Sequence, residues 1–275
     1  MYRKEINAQS PLRILEASFH GGLGAGNLGV VMARAGVGKT ACLVQIGLDD
    51  LMRDRNVLHI ALGGQTVEDV RRWYDALFAD MALRSSLDDR RLVRASVERH
   101  RIIQAFGSPV ITTEQLEQAV DMFAVHADFV PTAILVDGYD WEHEGSADSL
   151  VALRACAKRH GAELWMAART HRDETGPHPI DIPPPCADQA GLIDVVMLLE
   201  PQKDHVTIRL LKDHGHPPPV ETHLELAPDT MRLIYLEDGN TPSPGPKATA
   251  CTLLSGGARG TEAYFGECAE TWGVN

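Results

Sequence analysis

The sequence lacks a basic excess. It carries 26 Lys and Arg against 38 Asp and Glu, a formal charge of −12. That removes the broad positive footprint by which nucleic-acid binders are usually recognised, although a local basic groove would still be compatible with it. It lacks paired cysteines as well. Cys42, Cys156, Cys186, Cys251 and Cys268 are scattered, with no CxxC among them, so neither a disulfide framework nor a finger-type zinc site is indicated. They read as reduced, mostly buried thiols of a cytoplasmic protein. No run of about 18 apolar residues occurs, so no transmembrane helix is expected, and "MYRKEINAQS" lacks the apolar core of a signal peptide. The histidines show no metal-ligand spacing. His214 and His216 in "KDHGHPPP", and His171 and His178 flanking "RDETGP", read as solvated loop residues.

What is present suits one sizeable domain or two small ones: 275 residues, 44% hydrophobic and 23% charged, enough to bury a substantial core. Short β-rich runs alternate with helical segments. "GVVMA" (29–33) precedes a glycine loop, and the following "ACLVQIGLDDLM" puts Val44, Leu48 and Leu51 on one helix face. "NVLHIAL" is the next strand, after which Thr66 caps a helix with Val67, Val70, Tyr74 and Leu77 on one stripe. Residues 81–110 are charged and read as helical. A capping-box pattern runs from Thr112 to Gln115. It leads to the strand "TAILVDGYD", then the helix "SLVALRACAKRHG", then the strand "ELWMAA".

This alternation predicts an α/β fold with a mostly parallel central sheet flanked by helices. Beyond residue 190, "DVVMLLE", "VTIRLLK", "ETHLELA" and "MRLIYLE" read as four strands without intervening helices, an antiparallel extension at one sheet edge. Residues 238–250, rich in Pro and Gly, read as a linker. The expected organisation is a domain over 1–237, this linker, and a strand–loop–helix over 251–275.

The chemistry concentrates in "ARAGVGKT" (33–40). A phosphate cradle needs backbone N–H groups turned inward, a lysine for the β- and γ-phosphate oxygens, and a hydroxyl for magnesium. Gly36 and Gly38 supply the backbone freedom, Lys39 the charge and Thr40 the hydroxyl, with Ala35, Val37 and Ala41 completing the loop. The loop follows a strand and opens a helix, whose N-terminus also favours phosphate. An acidic residue at the end of a buried strand is then required to hold the metal, and Asp137 fits. The expected ligands are ATP and Mg2+, with Thr40 and Asp137 as the metal residues.

"GGLGAGNLGVVMARAGVGKT" resembles the entrance to the RecA-like P-loop core of KaiC-type ATPases and DnaB-type replicative helicases, the latter also carrying Ala-Arg where Ala33-Arg34 stand here. The resemblance spans roughly residues 11 to 236. It implies a RecA-like P-loop NTPase that works as a homo-oligomer, with a hexamer among the options, or with a protein partner. The family ends its second strand with a glutamate that activates water. Here Gly63, Gly64 and Gln65 stand in that place; an amide cannot accept the proton, although it can orient water. Glu68 is expected only to serve the first turn of the following helix. The family's Lys-x-Arg, which reaches a neighbouring subunit's γ-phosphate, reads Lys212-Asp213-His214, with the arginine replaced by a mostly neutral imidazole. Arg169 holds the sensor position of the fourth strand. It would contact a γ-phosphate or pair with an acidic loop.

The loops that grip DNA in the helicases are acidic here. "GYDWEHEGSADS" contains no Lys or Arg, and "RTHRDETGPHPIDIPPPCADQAG" sets two arginines against four acids, so nucleic-acid binding is not expected. "TLLSGGARGTEAYFGECAETW" resembles the first strand–loop–helix of the SLOG superfamily. It is too short to stand alone, and an apolar helix packed on the core or on a partner is the simpler expectation. The expectation is thus an ATP-binding protein with slow, Mg-dependent hydrolysis, the catalytic candidates being Lys39, Asp137, Gln65, Arg169 and Lys212. The alternatives are a nucleotide-sensing module without turnover and, third, a KaiC-like phosphotransferase.

Overall fold

The computed structural model describes residues 10–13, 21–108, 111–144, 146–170, 182–203, 205–217, 222–227 and 229–236. The chain divides into two units, Met1–Tyr235 and Leu236–Asn275. The proposed linker and the strand–loop–helix of 251–275 lie outside the described residues, as do His171 and His178. Among the described residues no helix is long and apolar enough to cross a membrane.

The first unit is α/β. Its chain runs β1 (Leu28–Ala33), α1 (Lys39–Leu51), β2 (Val57–Ala61), α2 (Val67–Arg84), α3 (Arg90–Arg99), β3 (Arg101–Ala105) and α4 (Thr113–Ala127). It continues through β4 (Ala133–Asp137), the short α5 (Trp141–Glu144), α6 (Ala147–Arg159), β5 (Glu163–Arg169) and a 3-10 turn (Ala187–Leu192). The last strands are β6 (Val195–Pro201), β7 (Val206–Asp213), β8 (Leu224–Leu226) and β9 (Leu233–Tyr235). All nine strands form one sheet in the order β3-β2-β4-β5-β1-β6-β7-β8-β9. Pairing is parallel from β3 through β6 and antiparallel from β7 onward.

Two expectations need correction. Residues 81–110 are not uniformly helical, because Arg101–Ala105 form β3, the parallel edge strand beside β2. This strand is only half-buried throughout, so it carries neither the long apolar run of a central strand nor a clean alternation. The extension beyond residue 190 is also not wholly antiparallel: β6 runs parallel to β1, and the reversal begins at β7.

The central strands are buried on both faces, as parallel strands covered by helices must be. Alternate residues feed two cores. Val31, Ala33, Val57, Ala61, Ala133 and Leu135 face the side of α1 and α2; Val30, Met32, Leu58, Ile60, Ile134 and Val136 face the side of α4 and α6. Helix starts follow the capping logic. Thr66 and Thr112 each accept from the backbone of the residue three ahead (Asp69 and Gln115), whose side chains bond back. α1 sits low on the sheet because Gly47 leaves room: a Cβ there would lie 2.6 Å from Tyr74 Oη and 2.9 Å from Leu135 Cδ1.

A second close approach pins β1 to β5. Trp165 covers Gly29, its parallel register partner, and a Cβ at Gly29 would lie 2.5 Å from the indole ring. Trp165 is itself buried and has no room to retreat. Gly29→Ala is therefore expected to destabilise the fold by roughly 1–3 kcal/mol, the usual cost of overpacking. The change would be read as a lowered urea midpoint at unchanged m-value, and an unmoved midpoint would show that the ring yields.

Candidate functional site

The parallel strands deliver their carboxyl ends to one edge, and the candidate residues gather there. Ala33, the last residue of β1, is in register with Arg169, the last of β5. Asp137, the last of β4, is in register with Ala61, the last of β2. The chain leaves β1 through Gly36 (φ +78°) and Gly38 (φ +113°), both in the left-handed region that glycine adopts without strain. Gly38 is the N-cap of α1, and no side chain caps that helix. Its first-turn N–H groups thus point out of the loop toward whatever acceptor lies there.

Within this frame Lys39 Nζ donates to the carbonyls of Ala33 (3.1 Å) and Arg34 (3.0 Å). Its pKa is lowered, first by burial; Asp137 opposes the shift and Arg169 adds to it, so Lys39 feels both charges. Thr40 Oγ1 donates to Asp137 Oδ2 at 2.5 Å. Asp137 is buried, so its carboxylate is held by the fold and not by solvent. Arg169 is exposed at the strand end. The next residue, Thr170, is buried and donates its N–H to Ala33 O. This set of a lysine, a hydroxyl beside a carboxylate, an exposed arginine and an uncapped helix start can hold an anion next to a divalent cation. Lys39 and Arg169 would face the anion, while the Thr40 and Asp137 oxygens are close enough to share one metal ion.

The neighbouring turn is tightly built. Leu62 N–H donates to Asp137 O, and a Cβ at Gly138 (φ +81°) would lie 2.6 Å from Leu62 O, so the two strand exits pack backbone on backbone. Gly63, Gly64 and Gln65 follow, with Gln65 half-buried and its N–H on Leu62 O. Glu68 is not in this site: it is exposed on α2, within ion-pair distance of Arg71 and Arg72.

Lys212 lies elsewhere. Because β7 is antiparallel to β6, Lys212 pairs with Val196, near the amino end of β6. Its Nζ donates to Ala190 O at 2.6 Å. The neighbouring His214 contacts the carbonyl of Gly22, ahead of β1, through Nε2 at 3.0 Å. The register carries this pair away from the glycine loop of the same chain. The acidic loop after Asp137 also turns inward: Tyr139 and Trp141 are buried, packed edge to face, and Trp141 Nε1 donates to Ala167 O.

Two contributions to the site carried no sequence signal. The first is the packing of the β8–β9 hairpin, whose strands were expected, back onto the loop. A Cβ at Gly38 would meet Leu226 Cδ1 at 3.0 Å and Met231 Sδ at 3.4 Å. Gln45 of α1 clamps the hairpin, donating to Met231 O (2.9 Å) and accepting from Leu233 N (2.5 Å). The second is His59, wholly buried on β2, on the sheet face that carries Asp137. Its Nδ1 lies 3.2 Å from Tyr74 Oη, while its Nε2 has no partner among the described residues. Neither has a motif; both arise from contacts between elements distant in sequence. No protein-family model matches the chain, and no curated protein matches it.

Burial lowers His59 from its ordinary 6.5 to about 4, with Asp137 opposing and Arg101 assisting. The unfolded chain therefore takes up this proton before the folded one does, and stability contributed by neutral His59 is lost as pH falls from 6.5 toward 4. Asp50 acts in the opposite sense. Burial chiefly raises it to about 6, so it favours the fold as pH falls through that value. His59→Asn removes the first effect and keeps the second. The urea midpoint of the variant is thus expected to decline less between pH 6.5 and 4 than that of the wild type. Parallel profiles for the two proteins would show that His59 is not the acid-sensitive group.

Proposed function

We propose that the chain is a RecA-like P-loop protein that binds ATP with magnesium and hydrolyses it slowly. The observation that carries this reading is the convergence of Lys39, Thr40, Asp137 and Arg169 at the carboxyl edge of the parallel sheet, beside an uncapped helix start. Lys39, which spends its donors on two loop carbonyls, would exchange them for β- and γ-phosphate oxygens. Thr40 and Asp137 would hold magnesium, directly or through water, and Arg169 would face the γ-phosphate. A bound magnesium ion would offset phosphate charge. Ala35, Gly36, Val37, Gly38 and Ala41 would supply backbone N–H donors and no side-chain chemistry.

Slow turnover follows from the second strand's exit. Gly63 and Gly64 bring no side chain, and Gln65 orients water without accepting its proton. Lys212, at the other end of the sheet from its own loop, would act only on a neighbouring subunit's nucleotide, which favours a homo-oligomer. The same vacancy of a base supports a second reading, a nucleotide sensor whose ligand changes assembly or docking without turnover. Nucleic acid is disfavoured by the acidic loops and by the inward use of Tyr139 and Trp141.

Binding of a fluorescent ATP analogue and steady-state hydrolysis with magnesium, compared for wild type, Lys39→Ala and Gln65→Glu, test this reading. Wild type is expected to bind. Lys39→Ala should bind about 10- to 100-fold more weakly, as loss of a charge-assisted hydrogen bond implies. Gln65→Glu should speed hydrolysis toward the ~10²-fold that a positioned base contributes. Wild-type turnover no faster than that of Lys39→Ala would leave the sensor reading alone standing, and failure to bind either ATP or GTP would sink both.

A further inference from the structure

A cavity lies toward the carboxyl end of α1, and none of Lys39, Thr40, Asp137 and Arg169 lines it. Its volume is about 490 Å³, within the range of pockets that hold small organic ligands. Leu48 and Met52 of α1, Leu77 and Met81 of α2, Leu12 before β1, and Leu233 of β9 form its apolar walls. The two thioethers adapt readily to ligand shape.

The polar groups at this cavity are unevenly matched. The acceptors of Asp49 and Gln45 are engaged. Asp49 Oδ2 accepts from Arg13 (Nε 3.0 Å, Nη2 2.5 Å) and from Arg53 Nη2 (2.8 Å), and Gln45 Oε1 accepts from Leu233 N. Its donors are not all used. Arg84 and Arg232 line the cavity and share a single carboxylate, that of Asp80, although Asp229 also adds its field at Arg84. Arg84 Nε takes both oxygens of Asp80 at 2.9 and 3.0 Å. Arg232 Nη1 donates to Leu233 O at 3.4 Å, while its Nε lies 3.1 Å from Asp80 Oδ2, out of line, and is buried without a hydrogen bond. A buried, unused N–H on a guanidinium is costly. A ligand would not reach that buried N–H, but a carboxylate in the cavity would face two guanidiniums that share one protein carboxylate. The group missing from this cavity is thus a hydrogen-bond acceptor with negative charge, attached to an apolar body.

We propose that this cavity is a binding site for a small amphipathic anion, a medium-chain monocarboxylate being the simplest representative, with the carboxylate at Arg232 and Arg84 and the chain between Leu48, Leu77 and Met81. Gln45, on the cavity wall, also clamps the hairpin that rests on Gly38, but the binding itself does not depend on the nucleotide reading.

Isothermal titration of the full chain with sodium decanoate and with decylammonium chloride, without nucleotide and below micellar concentrations, tests it. The wild type is expected to bind one decanoate, at least tenfold more tightly than decylammonium. Met81→Trp, which fills the cavity, should weaken decanoate binding tenfold or more, and Leu48→Phe should do the same from the opposite wall should the first variant fail to fold. Arg232→Gln should erase most of the preference for the anion. Absence of saturable one-to-one binding, equal binding of the two amphiphiles, or unchanged binding in a folded cavity-filling variant would each overturn the proposal.

Discussion

The parallel register of β1, β4 and β5 is the constraint on which the rest of this structure depends. Parallel strands share one carboxyl edge, and the hydrogen-bond offset decides which residues end there and which face they take. Here it sets Ala33 beside Arg169 and Asp137 beside Ala61. A slip of one residue in β4 would turn Asp137 from the α1 face to the α4 face, out of reach of Thr40. The 2.5 Å bond between Thr40 and Asp137 is therefore a consequence of the whole sheet, held by the two cores that alternate residues feed. The close approach of Trp165 to Gly29 belongs to the same device, since it fixes β5 against β1 near the residues that precede the loop.

The site is organised before any ligand arrives. Lys39 is partly desolvated and satisfied by the carbonyls of its own loop, so the positive charge is stored where an anion would take it over. The β8–β9 hairpin restricts the loop further. Its Leu226 and Met231 rest on Gly38, and Gln45 holds the hairpin to the helix that the loop begins. The loop and the hairpin are thereby tied to one another through α1, and the cavity borders the same glutamine. His59 adds a buried polar contact beneath this assembly.

Much of the framework could be read directly from residue patterns. The strands around "GVVMA", "VLHIA", "AILVD" and "ELWMAA" are continuous apolar runs, the signature of parallel strands covered on both faces. The caps at Thr66 and Thr112 and the glycine loop are local chemistry, legible over a few residues. β3 was not legible, because an edge strand with half-burial shows neither period. The direction of β6 was not legible either, since an apolar strand looks the same whether its neighbour runs with it or against it. Glu68 and Gln65 are three residues apart in the chain, yet one lies on an exposed helix face and the other at the strand exit, and that separation comes from where α2 begins.

The sequence by itself determined the α/β alternation, the position of the glycine loop and the Gly63-Gly64-Gln65 turn after β2, because each depends on the identity of a few adjacent residues. Only the tertiary structure decided that Lys39 feels the charges of both Asp137 and Arg169, that Lys212 lies toward the opposite end of the sheet, and that the last hairpin folds back over Gly38. The physical reason is common to all three. Register, strand direction and sheet curl are set by the summed packing of residues far apart in the chain, and no single segment carries that information.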